Sequence, residues 1–428
     1  MERSSEETDP VELSRRPIRV AYLVRYLPSL SETFILDEAV ALANAGAEVQ
    51  IWALDRAEGA IEHGRHEESY QRAVIVPRSS SPRALFASAV MSESPRFAGV
   101  RASWIGRGRS KDLRRVAWLG RAWRKQGVDV VRVHHAAETA RYAIAAGELA
   151  GVGVSIAVHA RDLFVPVADL SWILRSAALV TTITPFHRDL LLRSGLPSQL
   201  VVLLRCIVDL PSVVAKSPVS GAPLRLISVA RLVEKKGHDL VLEACSVLAS
   251  EGTPIEVVIV GEGEQREELQ KLCQKLEEKH GDMLHIEMRG GAPNEEVERL
   301  LVEGAFHAAV LGCRVTNEGD RDGVPVALME AQAHGLPVVT SALPGFDYEF
   351  TDGSGAVLVS MQKTEDGGDE PVQSEFVRGL AELYRDPKYR QRMADGARFA
   401  AGRRPSAAEI GEALLNMLLP LCSNVEDV

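Results

Sequence analysis

Short apolar runs alternate with segments of helical periodicity twice along the chain. In the first half, runs that predict buried strands lie at 18–24, 48–54, 73–77, 128–133, 154–158 and 179–184, and a helical pattern follows the first of them at 32–45. In the second half, such runs lie at 224–230, 255–261, 284–288, 306–311 and 336–341, with helices predicted from His238, Gln265, Asn294 and Pro325. Alternation of strands and helices predicts parallel sheets that are covered on both faces.

The stretch LPSVVAKSPVSGAP (210–223) interrupts this alternation, because it is rich in proline and has no periodicity. We interpret it as a linker between two Rossmann-like, doubly wound domains that face a cleft. The predicted order is a disordered lead-in (1–16), an N-terminal domain (17–209), the linker (210–223), a C-terminal domain (224–400) and a helical tail (401–428). The helical tail can pack on either domain.

Composition narrows the class of protein. The chain has 428 residues, 46% of them hydrophobic and 25% charged, which suits a soluble protein with two cores. No apolar run reaches the roughly 18 residues that a membrane span needs, and the polar start is unlike a signal peptide. The five cysteines form no C-x-x-C pair, which argues against a zinc site and against a disulfide framework. We therefore expect a cytoplasmic protein.

The loops at the carboxyl ends of the predicted strands are where ligands bind in doubly wound sheets. Arg231 and Lys236 follow the strand at 224–230, and two cations there can hold a diphosphate; the alternative is a solvated basic turn. Gly261 and Gly263 follow the next strand and allow backbone amides to approach a ligand closely, although such glycines also serve purely structural turns.

A third loop lies within EGDRDGVPVALMEAQAHGLPVV (318–339). Gly323 permits a bend and Pro325 can start a helix, which places Asp322 in the loop. Glu330 then lies about two turns into the helix, or nearer its start if the helix begins late. Free amides at the helix start attract anions, and the alternative is that both acids are ordinary first-turn charges.

Together these loops resemble a known family. RLVEKKGHDLVLEA, VVIVGEGEQREELQKL and GDRDGVPVALMEAQAHGLPVVTSALPG follow successive strands at the spacing seen in the donor half of retaining glycosyltransferases of family 4, which have the two-domain GT-B fold. PSLSETFILDEAVALANAGAEVQIWAL (28–54) and VHARDLF (158–164) resemble the exopolysaccharide, colanic-acid-type branch of that family. The resemblance runs from about residue 18 to about residue 400.

The resemblance implies roles for individual positions. On this basis Arg231 and Lys236 neutralise the donor diphosphate without a metal or cofactor, Asp322 contacts hydroxyls of the donor sugar, and Glu330 holds the ribose. The remaining implied residues are His159, which contacts the transferred sugar; Gly261, Gly263, Gly323, Val324 and Pro325, which surround the donor; and Ser31, Glu32 and Thr33, on a loop for donor phosphate or acceptor. The catalytic residues are thus His159 and Asp322.

Structural interpretations are given to several histidines, including His159 as an alternative to its implied role. His159 can alternatively be a hydrogen-bonded histidine at a strand end, His134 and His135 are interpreted as structural, and His334 as a surface position.

The chain departs from the family pattern at several positions. Asp322 stands where the family has glutamate, Gly312-Cys313 replaces a Pro-Ser pair, and Ile207 replaces a glycine. The segment 344–355 also lacks the usual Pro-Glu alignment. None of these changes removes a charge from the diphosphate site, so they bear on the identity of the sugar and on activity.

Residues 96–125 are dominated by arginine, with Trp104, Trp118 and Trp123 interleaved. We interpret them as a basic helix with aromatic anchors that can contact anionic lipid at the inner face of the membrane, or a phosphorylated acceptor. The alternative is a helix packed by its tryptophans with the arginines in water. Composition also permits a nucleic-acid interpretation, but nothing else in the chain supports one.

The predicted function is transfer of a sugar from a UDP- or GDP-sugar to an acceptor hydroxyl, with retained configuration, and the acceptor can be lipid-linked. Such a reaction suits the biosynthesis of cell-surface glycans or of glycosylated metabolites. A nucleotide-sugar epimerase or coupling enzyme of the same fold, and a non-catalytic nucleotide-sugar-binding protein, are the alternatives. A dinucleotide oxidoreductase is disfavoured, because no G-x-G-x-x-G follows either first strand.

Overall fold

A computed structural model describes residues 16–29, 32–57, 63–92, 94–106, 112–219 and 221–422. The first half of the chain forms a seven-stranded sheet in the order β3-β2-β1-β4-β5-β6-β7, and every neighbouring pair is parallel. Its strands are β1 (Arg19–Leu27), β2 (Glu48–Arg56), β3 (Val74–Ile75), β4 (Val130–His134), β5 (Gly153–Val158), β6 (Leu179–Thr182) and β7 (Val201–Leu203).

Helices cover both faces of this sheet. They are α1 (Thr33–Asn44), α2 (Glu67–Arg72), α3 (Pro82–Met91), α4 (Pro95–Gly106), α5 (Leu113–Gln126), α6 (Glu138–Ala150), α7 (Ala160–Phe164), α8 (Leu170–Arg175) and α9 (Pro185–Arg193). The central strand β4 is buried along its whole length, as expected for a parallel strand between two helical layers.

The second half repeats this plan, with a seven-stranded parallel sheet in the order β10-β9-β8-β11-β12-β14-β13. Its strands are β8 (Leu224–Val229), β9 (Ile255–Val260), β10 (Leu284–Gly290), β11 (Ala308–Leu311), β12 (Val338–Ser341), β13 (Thr351–Asp352) and β14 (Gly355–Val359), and a separate antiparallel pair is formed by β15 (Met361–Lys363) and β16 (Asp369–Pro371). Its helices are α10 (His238–Ser250), α11 (Arg266–His280), α12 (Asn294–Glu303), α13 (Val326–Ala333), α14 (Gln373–Arg385) and α15 (Pro387–Gly402).

The predicted fold class is confirmed, since two doubly wound parallel sheets are present. The described residues of 210–223 form neither helix nor strand. The domain boundaries on either side of that segment stay a prediction.

The last helix, α16 (Ala407–Leu418), returns to the first half of the chain. Ser406 caps it in a capping box with Glu409. A Cβ at Gly411 would overlap the carbonyl oxygen of Ala41, so the absence of a side chain lets α16 lie directly on α1. Ile410, Leu414 and Leu418 join the core of the first half. The structure thus selects one of the two packings that the sequence left open.

Two expectations about individual side chains are wrong. Trp104 and Trp123 are buried and Trp118 packs against the same core, because the three rings fill the space between α4, α5 and the sheet. They are therefore not aromatic membrane anchors. His334 is buried rather than at the surface, and its Nδ1 lies 3.0 Å from the carbonyl oxygen of Val213 in the segment 210–223.

No helix in the described part of the chain has both the length and the apolar character needed to cross a membrane.

Candidate active site

A cavity of about 610 Å³ lies between the carboxyl ends of the two sheets. It lies where the strand order reverses in each sheet, between β1 and β4 and between β8 and β11, which is where doubly wound sheets bind ligands. The predicted residues that line it are Glu32, Thr33, His159, Arg231, Lys236, Gly261, Asp322, Gly323, Val324, Pro325 and Glu330. Gly263 does not line the cavity, and Ser31 lies outside the described residues.

The basic turn after β8 is held by acids of the loop after β11. Lys236 Nζ forms an ion pair with Asp322 Oδ2, and Lys235 Nζ lies 3.0 Å from Asp320 Oδ1. Gly237, at φ 62°, passes so close to Gly312 that a Cβ would overlap its carbonyl oxygen. The turn is thereby fixed against the end of β11, and each of its two lysines is paired with an aspartate of the following loop.

Asp322 is ionised in this arrangement. Burial opposes ionisation, but the charges of Lys236 and Lys235 outweigh it and hold the pKa of the Asp322 carboxyl below its usual range. The resemblance assigned Lys236 to the diphosphate and Asp322 to the sugar, yet the two side chains contact each other. A donor diphosphate must therefore share Lys236 with Asp322 or replace it.

The two glycines after β9 serve the contact between neighbouring loops. A Cβ at Gly261 would overlap the carbonyl oxygen of Ala230, and one at Gly263 would overlap that of Leu232. The structural alternative therefore explains Gly263 fully. Gly261 combines this packing with a place in the cavity wall.

Gly323 brings the loop after β11 against the first half of the chain. A Cβ there would lie 3.0 Å from His187 Cε1 and 3.3 Å from Ala160 Cβ. The Arg321 guanidinium carbon lies 4.4 Å from the centre of the Phe164 ring. This loop thus spans the cleft, which places Asp322 beside residues of both halves.

Glu330 lies on the second turn of α13, because that helix begins at Val326, directly after Pro325. Burial raises the pKa of the Glu330 carboxyl to about 7, with the charge of Arg65 opposing and that of Asp37 adding to the rise. A carboxyl of this pKa changes charge near neutral pH. Of the two placements that the sequence allowed for Glu330, the structure has the one nearer the start of the helix.

Arg65 belongs to a segment of the first half that the sequence reasoning missed. The backbone amide of Arg65 donates to Glu295 Oε1 at 3.0 Å, and the backbone amide of Asn294 donates to His63 Nδ1 at 3.1 Å. Arg65 Nη2 also lies 2.8 Å from Asp37 Oδ2. These contacts join the first half of the chain to the start of α12, at the end of the cavity where Glu330 lies.

His159 precedes α7 and its amide donates to Asp162 Oδ2 at 2.9 Å. Its ring stacks on that of His134 with centroids 5.3 Å apart, and the ring of His135 lies 4.7 Å away. Burial lowers the pKa of His159 well below its usual range, and the charges of His135 and His134 lower it further. The two histidines that were interpreted as structural therefore line the same cavity as His159.

His135 has a left-handed backbone, with φ 70°, which is uncommon for a residue other than glycine. Its Nε2 lies 3.7 Å from Glu32 Oε1 and its Nδ1 lies 3.7 Å from Asp162 Oδ2. Burial lowers the pKa of His135, but Asp162 and Glu32 outweigh that effect and raise it overall. Glu32 is thus placed at the cavity beside a histidine whose pKa it helps to raise.

Comparisons with known proteins agree with this geometry. Residues 213–399 match the family described as glycosyl transferases group 1, and residues 31–206 match the glycosyl transferase 4-like domain. A putative colanic acid biosynthesis glycosyltransferase, WcaL of Salmonella typhimurium, is 27% identical over 346 residues, which cover 77% of this chain and 83% of WcaL. The amylovoran biosynthesis glycosyltransferase AmsK of Erwinia amylovora is 41% identical over 124 residues, 29% of each chain.

Solved structures share the fold. The crystal structure of HepE from Anabaena in complex with UDP and glucose superposes with a TM-score of 0.69 at 14% identity, covering 94% of this chain and 99% of HepE. The two family matches occupy the two sheets described above, and their facing edges enclose the cavity. Residues 213–399 therefore form a domain of the glycosyl transferases group 1, and residues 31–206 form a glycosyl transferase 4-like domain.

Proposed function

We propose that this glycosyltransferase moves a sugar from a nucleoside diphosphate sugar to an acceptor hydroxyl, with retention of configuration, in the biosynthesis of a surface polysaccharide. The observation that carries the proposal is the convergence of Arg231, Lys236, Asp322, Glu330 and His159 on one cavity between two parallel sheets. The named roles of WcaL and AmsK in colanic acid and amylovoran biosynthesis support the polysaccharide context.

In the proposed complex, the diphosphate lies between Arg231 and Lys236 at the end of β8. These cations neutralise the charge that develops on the leaving diphosphate, so the reaction needs no metal. Glu330 accepts hydrogen bonds from the ribose, and Asp322 and His159 contact the transferred sugar.

A UDP-sugar is the donor that the comparisons support best, because the HepE structure holds UDP and glucose. A GDP-sugar is the alternative. The acceptor lies over the first half of the chain, where Glu32, Thr33 and His135 line the cavity. Its reacting group is a hydroxyl.

Contact with an anionic membrane surface is part of the proposal, but its apolar component comes from α3 rather than from the tryptophans. Phe86 on α3 is 60% exposed, and Leu85 and Val90 on the same helix are also exposed. The Arg121 guanidinium of α5 lies 5.4 Å from the centre of the Phe86 ring. An exposed apolar helix beside arginines suits the headgroup region of a membrane that carries a lipid-linked acceptor.

Donor binding and turnover test the proposal directly. Thermal stabilisation by UDP, GDP, ADP and TDP identifies the base, since a ligand at 100 times its Kd adds about 2.7 kcal/mol. Lys236→Ala should weaken both the nucleoside diphosphate and the donor by about 1.5–3 kcal/mol, the range for a hydrogen bond to a charged group. Lys275→Ala, at an exposed position on α11, is the matched control.

Release of nucleoside diphosphate only in the presence of acceptor distinguishes a transferase from an epimerase or a binding protein, and the product's anomeric NMR signal reports retention. Unchanged nucleotide affinity in folded Lys236→Ala protein would contradict the assignment of the diphosphate site.

A further inference from the structure

A buried charged pair lies behind the ring of His159. Glu38 on α1 accepts hydrogen bonds from Arg132 on β4, with Nε to Oε1 at 2.9 Å and Nη2 to Oε2 at 3.0 Å. The Tyr22 hydroxyl donates to the same Glu38 Oε1 at 2.9 Å, and Arg132 Nη1 donates to Ser155 Oγ at 2.8 Å. Arg132 is fully buried. Such a pair contributes little to stability compared with apolar side chains of similar size, so it calls for another explanation.

Hydrogen bonds connect this pair to the cavity. Glu38 Oε1 lies 3.0 Å from His134 Nε2, and His134 Nδ1 lies 3.1 Å from His159 Nε2. The chain of contacts therefore runs from Arg132 through Glu38 and His134 to His159, which lines the cavity.

The charge states along this chain follow from burial and from the neighbouring groups. Burial opposes the ionisation of Glu38, but Arg132 and His134 outweigh it and hold the pKa of Glu38 well below its usual range. Burial lowers the pKa of His134 more than Glu38 raises it. The pKa of His159 is lowered well below its usual range by burial, then by His135 and His134. At neutral pH, Glu38 is a carboxylate and both imidazoles are neutral.

The proton positions are then determined. A carboxylate only accepts, so His134 must carry its proton on Nε2. Neutral His134 consequently has a lone pair on Nδ1, which accepts the proton of His159 Nε2. Neutral His159 is left with a lone pair on Nδ1.

We infer that Glu38 and His134 are positioning residues that fix His159 as a neutral ring with its proton on Nε2, so that its other nitrogen accepts rather than donates. This inference rests on the proposed function, in which His159 contacts the transferred sugar. A hydroxyl of that sugar is then the donor in the contact. A ring with the opposite tautomer would present an N–H group instead and would favour a different orientation of the sugar.

Other groups around His159 also oppose its protonation, with the exception of Glu38. His135 lies 4.7 Å away and, placed between Glu32 and Asp162, tends to be protonated, which disfavours a second positive charge on His159. Phe34 of α1 closes another side of the ring with centroids 5.2 Å apart. The Arg132 charge also disfavours protonation of His159, whereas Glu38 favours it.

Nuclear magnetic resonance of the full chain with ¹⁵N-labelled histidine tests the inference, because two-bond ¹H–¹⁵N correlations separate the two tautomers. Disappearance of one spin system in His159→Gln assigns His159. We expect the parent at neutral pH to show neutral His159 with the proton on Nε2. His134→Asn keeps an acceptor near the position of Nδ1 and should preserve this tautomer. His134→Phe removes the acceptor and should give a mixture.

Kinetics supply the second readout. His134→Phe should lower kcat about three- to tenfold, the loss of one hydrogen bond, with the KM for donor nearly unchanged, whereas His134→Asn should stay close to the parent. Glu38→Gln can donate to His134 Nε2 and should shift the tautomers in the same way as His134→Phe. If Glu38→Gln does not fold, because Arg132 is left unpaired, the two His134 variants still decide the question.

A parent spectrum with His159 doubly protonated, or with its proton on Nδ1, would overturn the inference. A folded His134→Phe protein that keeps both the tautomer of the parent and the turnover of the parent would also overturn it. Failure of the proposed function is distinguishable from failure of this inference. If the parent transfers no sugar from any donor, the proposed function is wrong, but the spectrum still reports whether Glu38 and His134 position the ring.

Discussion

At the scale of single residues, the proposed contact between Glu330 and the ribose predicts that nucleotide binding depends on pH. Its pKa is raised to about 7 in the protein without ligand, so it is largely protonated below that pH and ionised above it. Ribose hydroxyls bind best to the ionised carboxylate. We expect the parent's affinity for nucleoside diphosphate to fall about tenfold between pH 8 and pH 6 through this single proton.

Glu330→Gln should lack that component of the pH dependence, because an amide does not titrate. Calorimetric titration of both proteins across this range measures the difference, and the variant corrects for protonation of the diphosphate itself. The same slope in both proteins would mean that Glu330 does not hold the ribose. A raised pKa also means that the contribution of Glu330 to unfolding stability is present at low pH and is lost as pH rises through about 7.

Asp322 gives a second prediction at this scale. Because Asp322 Oδ2 is paired with Lys236, Asp322→Asn frees the lysine for the diphosphate while removing a contact to the sugar. We expect nucleoside diphosphate affinity to be maintained or to rise about three- to tenfold, with turnover lowered by tenfold or more. Asp322→Glu, which restores the family's residue, is the conservative comparison. Turnover equal to the parent's in Asp322→Asn would leave Asp322 as a structural partner of Lys236 only.

At the scale of elements, the proposed membrane contact depends on the exposed apolar side chains of α3. Phe86→Ser should reduce sedimentation with vesicles that contain phosphatidylglycerol, and binding by the parent should weaken as salt rises. Phe399→Ser on α15 is a matched control, because Phe399 is 64% exposed and the Arg403 guanidinium lies 5.7 Å from its ring centre. Equal loss in both variants, or equal binding to neutral vesicles, would argue against a specific contact by α3.

At the scale of the whole molecule, polar contacts at two further places join described residues of the two halves across the cleft, in addition to the loop after β11. At one, Arg65 and His63 contact the start of α12. At the other, Arg205 Nη2 lies 2.6 Å from Glu349 Oε2, and the same oxygen lies 3.1 Å from Arg404 Nε. The two halves are thus closed on each other, and the first half contributes the charge of Arg65 to the end of the cavity where Glu330 lies.

Arg65→Ala tests this arrangement. The charge of Arg65 opposes the rise in the Glu330 pKa, so its removal should move the pH midpoint of nucleotide binding to a higher value. The KM for donor should increase while kcat changes little, because the contact closes the cleft and does not reach the reacting atoms. Arg72→Ala, in an exposed pair with Glu68, is the control. A pH midpoint identical to the parent's would show that Arg65 does not act on Glu330.

Prediction from sequence worked where local pattern determines structure. The strands at 224–230 and 255–261 and the helix start at Asn294 are encoded by apolar runs and by turn residues, and the structure places them within one or two residues of the expected bounds. Short strands such as β7 and β13 were missed, because two or three residues carry too little periodicity.

The sequence by itself determined two parallel α/β units and the loops that reach the cleft, since strand order and loop position follow from local pattern and chain handedness. It also placed Arg231, Lys236 and Asp322 on those loops and Glu330 on the helix that follows one of them. It also held unused information: Glu38 in the apolar stripe of α1 and Arg132 inside a buried strand are opposite charges that each need a partner.

Only the tertiary structure decided which partners meet. It paired Lys236 with Asp322, placed Arg65 beside Glu330, seated α16 on α1 and joined Glu38 to His159 through His134. The physical reason is that these contacts connect residues distant in sequence. Their geometry, and therefore the charge state of each group, depends on how the two sheets face each other rather than on any local pattern.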